Sequence, residues 1–292
     1  MRLPGPDYPA PAKLNLFLHV VGRRSDGYHL LQSVFTLIDL ADTIRLRVRD
    51  DGLIERVSDL PGVPAEEDLV VRAARLLQEA SGTPKGADIE VEKRIPMGGG
   101  LGGGSSDAAT VLIALDRLWG TGFGPEALAE IGVALGADVP FFIYGRAAWA
   151  EGIGERLRDV DLPPRWYLVL VPPVAVPTAE IFAAPELTRN TETLKIEDFS
   201  ARLARGQFEG LRNDLQPVVA HRYPEVQRHL AWLSEHGEAR MTGSGSCVFA
   251  GFEQREAAQS LLNRLERDRS RMDRPMQGFV AQGLAVHPLR ME

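Results

Sequence analysis

The sequence contains one cysteine, Cys247, in 292 residues, so no disulfide can form within the chain. A hydrophobic core must therefore hold the fold, and an apolar content of 44% is sufficient to build one. A single cysteine is typical of a reducing compartment. Residues 1–7 show no basic start followed by an apolar stretch, so the sequence predicts no signal peptide. We therefore expect a cytoplasmic protein.

Long apolar runs and excess positive charge are also missing. The most apolar segment, residues 166–177, is short and interrupted by prolines, so it cannot span a bilayer. The net charge of −7 argues against a nucleic-acid partner, which requires a basic surface. An anionic ligand would have to be held by local donors. We expect no nucleic-acid or membrane partner, and a monomer or weak homodimer.

Glycine, in contrast, is concentrated in one place. Six of the seven residues 98–104 are glycine, and a helical pattern follows whose first turn contains Ser105, Ser106 and Asp107. The N-terminus of a helix has unpaired N–H groups and a partial positive charge. Glycines without side chains let phosphate oxygens approach those donors. The segment therefore predicts a phosphate-binding loop rather than a flexible linker or a plain turn.

Two common phosphate loops fit this segment poorly. A Walker A loop requires a lysine after its glycines, and none follows here, so that class is excluded at this site. The spacing of Gly98, Gly100 and Gly103 matches the dinucleotide fingerprint, but any run this rich in glycine would match it. That fingerprint also requires a strand ending in an acid about 20 residues further on. Residues 120–124 instead add more glycines before a second helix, which leaves an oxidoreductase as the weaker alternative.

Residues 96–109, PMGGGLGGGSSDAA, resemble the second motif of the GHMP kinase superfamily. Residues 11–16, PAKLNL, and 241–249, MTGSGSCVF, resemble its first and third motifs. Three motifs in the correct order are far more specific than one loop. Three further segments resemble the branch of the superfamily that phosphorylates a diphosphocytidyl sugar alcohol, and they are residues 23–30, 136–140 and 213–217.

The resemblance implies an α+β protein with two domains. Residues 1–160 would resemble the second domain of ribosomal protein S5. Residues 161–292 would form a ferredoxin-like domain, whose final strand can return to the first. ATP would donate the phosphoryl group to a small cytidyl substrate in the cleft between the domains, with Mg²⁺ held mainly by the nucleotide. The implied ATP-binding residues are Pro96, Met97, Gly98, Gly99, Gly100, Leu101, Gly102, Gly103, Gly104, Ser105 and Ser106.

The resemblance also implies a catalytic pair. Asp138 would accept the proton of the substrate hydroxyl, and Lys13 would stabilise charge on the attacking oxygen. From spacing alone, a capping or turn aspartate and a strand lysine that reaches solvent are the commoner interpretations of these two residues. For Ser105 and Ser106, helix capping is the alternative to phosphate contact. The implied substrate-binding residues are Asn15, Tyr28, His29, Asp138, Thr178 and Phe182.

Hydrophobic periodicity predicts the secondary structure. In the first half it predicts strands at 42–49, 88–95 and 139–144, and helices at 69–80, from the glycine loop to Gly120, and at 125–136. In the second half it predicts strands at 166–171, on both sides of 243–245 and at 278–288, and helices at 199–212, 224–236 and 253–267. Strands and helices do not alternate regularly, which favours α+β over a doubly wound sheet.

Two alternatives remain open within the superfamily. One is a kinase for another acceptor, such as mevalonate or homoserine. The other is a member without activity that binds a ligand and regulates, although the presence of both Lys13 and Asp138 argues against it. The remaining histidines do not have the spacing of metal ligands, so we interpret them as structural.

Overall fold

The computed structural model describes residues 2–204, 211–268 and 274–290. Its strands in chain order are β1 (Tyr8–Arg23), β2 (His29–Arg49), β3 (Ile54–Arg56), β4 (Gly86–Glu92), β5 (Ala148–Glu151), β6 (Arg156–Asp159), β7 (Trp166–Leu170), β8 (Arg240–Met241), β9 (Val248–Phe252) and β10 (Gly278–Leu284). Its helices are α1 (Leu69–Ser81), α2 (Gly103–Trp119), α3 (Gly124–Val133), α4 (Val139–Tyr144), α5 (Thr178–Ala183), α6 (Ile196–Ala204), α7 (Gln216–Arg222), α8 (Pro224–Ser234) and α9 (Arg255–Asp268). This mixture confirms the predicted α+β class.

A long antiparallel hairpin of β1 and β2 lies at the centre of the molecule. The pairing runs from Tyr8 opposite Ile44 to Arg23 opposite His29. Residues 10–20 of β1 are buried without alternation, as expected for a strand covered on both faces. Any polar side chain in this stretch is therefore placed in the interior and needs partners there.

One continuous sheet connects the two halves of the chain, in the order β3-β4-β2-β10-β7-β9-β8. The final strand, β10, pairs with β7 over five residues, and its last two residues, Gly283 and Leu284, pair with β2. The sheet therefore continues from the first half of the chain into the second. The division into domains 1–160 and 161–292 stays a prediction.

Helices α1 to α4 cover a core formed with the first half of the sheet. The helix α1 begins after Asp68, whose carboxylate accepts from the Val70 amide at 3.1 Å, and ends at Gly82. The helix α2 ends at Gly120, whose N–H donates to the carbonyl of Asp116. Both ends were predicted at these glycines, because glycine adopts the left-handed conformation that terminates a helix. No helix in the described ranges has the length and apolar character needed to cross a membrane.

One predicted element is wrong: residues 139–144 form the helix α4 and not a strand. Pro140 lies in the first turn, where its missing N–H costs nothing. Gly145 ends the helix in a left-handed conformation and donates to the carbonyl of Phe141 at 2.9 Å. A short run of buried apolar residues has no periodicity that separates the two structures, so the sequence pattern misled here.

In the second half, the strands predicted around residues 243–245 are confirmed as β8 and β9. The helix predicted at 199–212 is present as α6 up to Ala204, and residues 205–210 of that prediction lie outside the described ranges. The closing strand ends at Leu284, earlier than predicted. Beyond it His287 donates its N–H to the carbonyl of Gly145 at 2.7 Å, which ties the chain end to the first half.

Candidate active site

A cavity of about 1000 Å³ opens between the two halves of the chain. Its walls come from β1, the glycine loop, the start of α4, the helix α5 and the loop at 243–245. Every predicted ATP-binding residue from Pro96 to Ser105 lines it, and so do all of the predicted catalytic and substrate-binding residues. The fold thus brings together segments that are far apart in the sequence.

The glycine loop leads into α2 through Gly102, which has a φ of 72° and stands at the N-cap. Ser106 is the first residue whose amide is bonded within the helix, to the carbonyl of Gly102. In the described part of the chain, no protein oxygen accepts from the amides of residues 103–105. These donors lie at the positive end of a 17-residue helix and beside the cavity. The arrangement can hold the phosphates of a nucleotide.

The loop at 243–245 packs directly against the glycine loop. Cys247 donates its N–H to the carbonyl of Gly99 at 3.1 Å. A Cβ atom on Gly100 would lie 2.3 Å from the carbonyl oxygen of Thr242, so only glycine fits there. Asn213 supports this loop from behind, donating its amide to the carbonyls of Met241 and Gly243. Two backbones therefore touch without intervening side chains.

Lys13 and Asp138 meet at the wall of the cavity. The ammonium Nζ of Lys13 lies 3.3 Å from Oδ2 of Asp138. The Lys13 side chain is 4% exposed and the Asp138 side chain 31%. Asp138 immediately precedes α4, so the helix that sequence reasoning mistook for a strand is the element that holds this carboxylate. One partner is thus buried and the other is open to a ligand.

Asn15 orients the lysine. Its Oδ1 accepts from the Lys13 ammonium at 2.5 Å, and its Nδ2 donates to the Ser33 hydroxyl at 2.8 Å. The backbone N–H of Asn15 donates to the Thr242 hydroxyl at 3.0 Å. The Phe35 ring, whose centroid lies 5.1 Å from the ammonium, adds a cation–π contact. Ser33 was not singled out from the sequence, because it belongs to no pattern that stands out locally. Thr242 lies in the segment 241–249 that resembles the third motif, but no role was assigned to it.

Aromatic and polar groups also line the cavity. Tyr28, in the turn between β1 and β2, is 60% exposed and available to a planar ligand. The rings of His29 and Phe182 pack with centroids 5.0 Å apart. The hydroxyls of Thr178 and Ser244 are 2.6 Å apart, which connects α5 to the loop at 243–245. His29 also accepts a hydrogen bond from Arg189, a residue that sequence reasoning missed.

The two serines of the predicted ATP site differ in position. Ser105 lines the cavity. Ser106 does not, because its fully buried hydroxyl donates to the carbonyl of Pro11 at 2.7 Å. Neither serine caps the helix, since both lie inside it and Gly102 occupies the N-cap. The hydroxyl of Ser106 therefore holds β1 against α2, and its contact with a phosphate stays a prediction.

A buried charged cluster beneath the glycine loop was also missed. Lys93 donates to the carboxylates of Asp42 and Asp107, the latter at 2.7 Å. Asp42 also accepts from the amides of Arg94 and Ile95, at the entry to the loop. Burial raises the pKa of Asp107 to about 7, against the opposing attraction of Lys93. The cluster fastens the loop to β2 on one side and to α2 on the other.

A cleft that exposes helix amides to phosphates and holds a carboxylate beside a buried ammonium is suited to phosphoryl transfer. Fold and site together define the class of small-molecule kinases. The model of the GHMP kinases N terminal domain matches residues 68–146, and that of the GHMP kinases C terminal domain matches residues 195–270. The two matches include the glycine loop and the loop at 243–245.

Relatives refine this class. A 4-diphosphocytidyl-2-C-methyl-D-erythritol kinase of Thiobacillus denitrificans is 60% identical over 97% of this chain and 96% of its own length. Another 4-diphosphocytidyl-2-C-methyl-D-erythritol kinase, from Aromatoleum aromaticum, is 58% identical over 94% of this chain and 96% of its own length. The chain belongs to the GHMP kinase family and, within it, to the 4-diphosphocytidyl-2-C-methyl-D-erythritol kinases.

Solved structures agree with this assignment. A crystal structure of 4-(cytidine 5'-diphospho)-2C-methyl-D-erythritol kinase, 36% identical, superposes with a TM-score of 0.81 and covers 95% of this chain and 99% of that one. The mevalonate kinase of Methanococcus jannaschii superposes with a TM-score of 0.66 at 16% identity, covering 97% and 100%. At that identity the second likeness concerns the fold alone.

Replacing Gly100 by alanine tests the contact between the two loops. Gly100→Ala and Gly122→Ala both place a Cβ at a positive φ, 75° and 69°, which costs about 1–2 kcal/mol. Only the first also meets backbone, because nothing lies within 4 Å of a Cβ on Gly122. We expect Gly100→Ala to raise the KM for ATP at least about tenfold, and Gly122→Ala to leave it unchanged. Equal ATP kinetics in the two variants would contradict the role of this contact.

Replacing Asp107 by asparagine tests the buried cluster. Folding raises the pKa of Asp107, so between about pH 4 and 7 this carboxyl binds more protons in the folded protein than in the unfolded chain. The stability that Asp107 contributes therefore falls as pH rises through that window. We expect thermal unfolding measurements to show that the stability of Asp107→Asn relative to the wild type increases from pH 5 to pH 8. The gain should be roughly 1–3 kcal/mol, since one pKa unit corresponds to about 1.4 kcal/mol.

The exposed Asp161 supplies the control for this measurement. The free energy of unfolding of Asp161→Asn should equal that of the wild type throughout this pH range. A difference between Asp107→Asn and the wild type that stays constant from pH 5 to pH 8 would show that Asp107 is not protonated on folding.

Proposed function

We propose that this protein transfers the γ-phosphoryl group of ATP to the 2-hydroxyl of 4-diphosphocytidyl-2-C-methyl-D-erythritol, a step toward isoprenoid precursors by the non-mevalonate route. The observation that carries the proposal is the distance of 3.3 Å between Lys13 Nζ and Asp138 Oδ2, in the cavity that the amides of α2 also border. The relatives at 58–60% identity support the choice of acceptor.

In this proposal the two ends of the cavity bind different ligands. The amides of residues 103–105 and the glycine loop hold the triphosphate of ATP. The cytosine ring stacks against Tyr28 and Phe182, and His29 forms a hydrogen bond with the edge of the ring. The methylerythritol unit then lies next to Asp138. A ligand that fills the whole cavity positions its hydroxyl, and positioning is most of what phosphoryl transfer requires of a protein.

The chemical step uses the catalytic pair. Asp138, which is partly exposed, accepts the proton of the 2-hydroxyl as that oxygen attacks the γ-phosphorus and the bond to the β,γ-bridging oxygen breaks. Lys13 is held by Asn15, so its ammonium is already in place to stabilise negative charge on the attacking oxygen and the transferring group. Burial of Lys13 strengthens this effect, because few water molecules screen the charge.

Mg²⁺ belongs to the proposal as the partner of the nucleotide. Bound magnesium would neutralise the β- and γ-phosphate oxygens. The described residues contain no group of three or more His, Cys, Asp or Glu side chains able to hold a metal ion. The Ser105 hydroxyl is an oxygen that lines the cavity beside the helix amides. In this proposal the nucleotide supplies most of the magnesium ligands. The ATP requirement and the single cysteine support a cytoplasmic location.

A panel of acceptors tests the assignment. Purified protein is supplied with ATP and Mg²⁺, and ADP release is followed with the diphosphocytidyl compound, mevalonate or homoserine as acceptor. We expect turnover with the first alone. Mevalonate and homoserine have no base that could contact the aromatic residues Tyr28 and Phe182 of the cavity. Faster turnover of mevalonate or homoserine would reverse the assignment, and no turnover with any acceptor would favour a regulatory member.

Replacing Asp138 by asparagine tests the proton acceptor. Asp138→Asn keeps the shape of the side chain but cannot take up the proton, so kcat should fall by about 10²–10⁴-fold. The KM for ATP should change little, since the helix amides are untouched. Asp26→Asn is a matched control, because Asp26 lines the same cavity but pairs with Arg24. A kcat for Asp138→Asn near that of the wild type would remove Asp138 from the mechanism.

A further inference from the structure

Arg189 connects two neighbouring parts of the cavity wall, the end of α5 with Phe182 and the ring of His29. Its guanidinium donates to the carbonyls of Phe182 at 2.9 Å, Ala184 at 2.6 Å and Leu187 at 3.0 Å. Its remaining contact reaches 160 residues back along the chain, where Nε donates to Nε2 of His29 at 3.1 Å. A single side chain thus joins the end of α5 to the first residue of β2.

This contact determines which nitrogen of His29 carries the proton. A guanidinium has only donors, so Nε2 of His29 must accept. In the neutral ring the proton is then on Nδ1. Burial, followed by the charges of Arg189 and Arg23, lowers the pKa of His29, in agreement with a neutral ring. Within the described ranges the hydrogen bond of the His29 ring is the one from Arg189 to Nε2, and His29 lines the cavity. His29 therefore offers a ligand one N–H donor of fixed identity.

We propose that Arg189 is a positioning residue that sets the base specificity of the site by holding His29 as an Nδ1–H donor. The inference rests on the proposed function, in which the base of the substrate lies beside His29. Cytosine presents an unprotonated N3, which accepts from such a donor. Uracil presents an N3–H at the same place, so two donors would face each other and the uridyl compound would be rejected.

The same guanidinium fixes the distance between the two recognition groups. Its bonds to the carbonyls of Phe182 and Ala184 hold the end of α5 while its Nε holds His29, and the two rings pack with centroids 5.0 Å apart. Phe182 carries no base-specific information, because every base has a flat face. Discrimination is therefore assigned to the His29 proton, and Arg189 acts through it.

The first experiment measures selectivity. The kcat/KM is determined for the diphosphocytidyl acceptor and for its diphosphouridyl analogue, with the wild type, Arg189→Met and Arg189→Lys. We expect the cytidyl-to-uridyl ratio to fall about tenfold or more in Arg189→Met, because His29 is then free to present an acceptor. The loss on the cytidyl acceptor should appear in KM more than in kcat. Arg189→Lys, which keeps a donor, should recover part of the ratio.

The ratio separates specificity from folding, since both acceptors are measured on the same sample and the folded fraction cancels. Arg222→Met is the matched control, because Arg222 pairs with Glu186 in the segment preceding Arg189 and makes no bond to His29. It should leave the ratio unchanged. An unchanged ratio in Arg189→Met would overturn the proposal.

The second experiment observes the proton directly. Nitrogen NMR of the full-length protein labelled at its histidines, with His29 assigned by its loss in His29→Gln, should show Nδ1 protonated and Nε2 unprotonated in the wild type. Arg189→Met should shift His29 toward the other tautomer or a mixture. A wild-type His29 protonated at Nε2 would overturn the inference even if the cytidyl compound is turned over. A wild type that uses neither acceptor would instead count against the proposed function, while the tautomer result would stand.

Discussion

The site depends on the close approach of two loops that have almost no side chains where they meet. A Cβ on Gly100 would lie 2.3 Å from the carbonyl oxygen of Thr242, and a Cβ on Gly243 would lie 3.0 Å from the carbonyl oxygen of Gly100. That same Cβ would lie 3.5 Å from Lys13 Nζ. Because the backbones touch, the amides at the start of α2 and the buried ammonium face one cleft. A bulkier loop would separate the phosphate site from the catalytic pair.

Buried polar groups keep this junction in place. Burying Lys13 costs free energy unless its charge is paired, and Asn15, Asp138 and the Phe35 ring supply the partners. Beneath the glycine loop, Lys93 lies between Asp42 and Asp107 in the same way. Such networks stabilise the fold when every member has a partner, but among the described residues Oδ1 of Asp107 is buried without one, in agreement with the raised pKa of that carboxyl. They also rigidify the site, so little ordering remains to be done when substrates bind.

Several features of the fold could be predicted because they depend on neighbouring residues. The left-handed conformations at Gly82 and Gly120 end α1 and α2 where they were expected. The apolar run at 139–144 was placed in the wrong structure, because its burial on all sides removes the periodicity that separates helix from strand. Ser106 was assigned to the phosphate site by its position in a motif, but its hydroxyl turns toward β1.

The sequence by itself determined the local chemistry: a glycine loop entering a helix, a chain without disulfides, and motifs in the order of a kinase family. These features need only short-range backbone preference and composition, which are present in any stretch of chain. Only the tertiary structure decided which distant side chains meet, such as Lys13 with Asp138, Lys93 with Asp42 and Asp107, and Arg189 with His29. Those contacts arise from the packing of the two halves on one sheet, and no local pattern in the sequence encodes a distance between them.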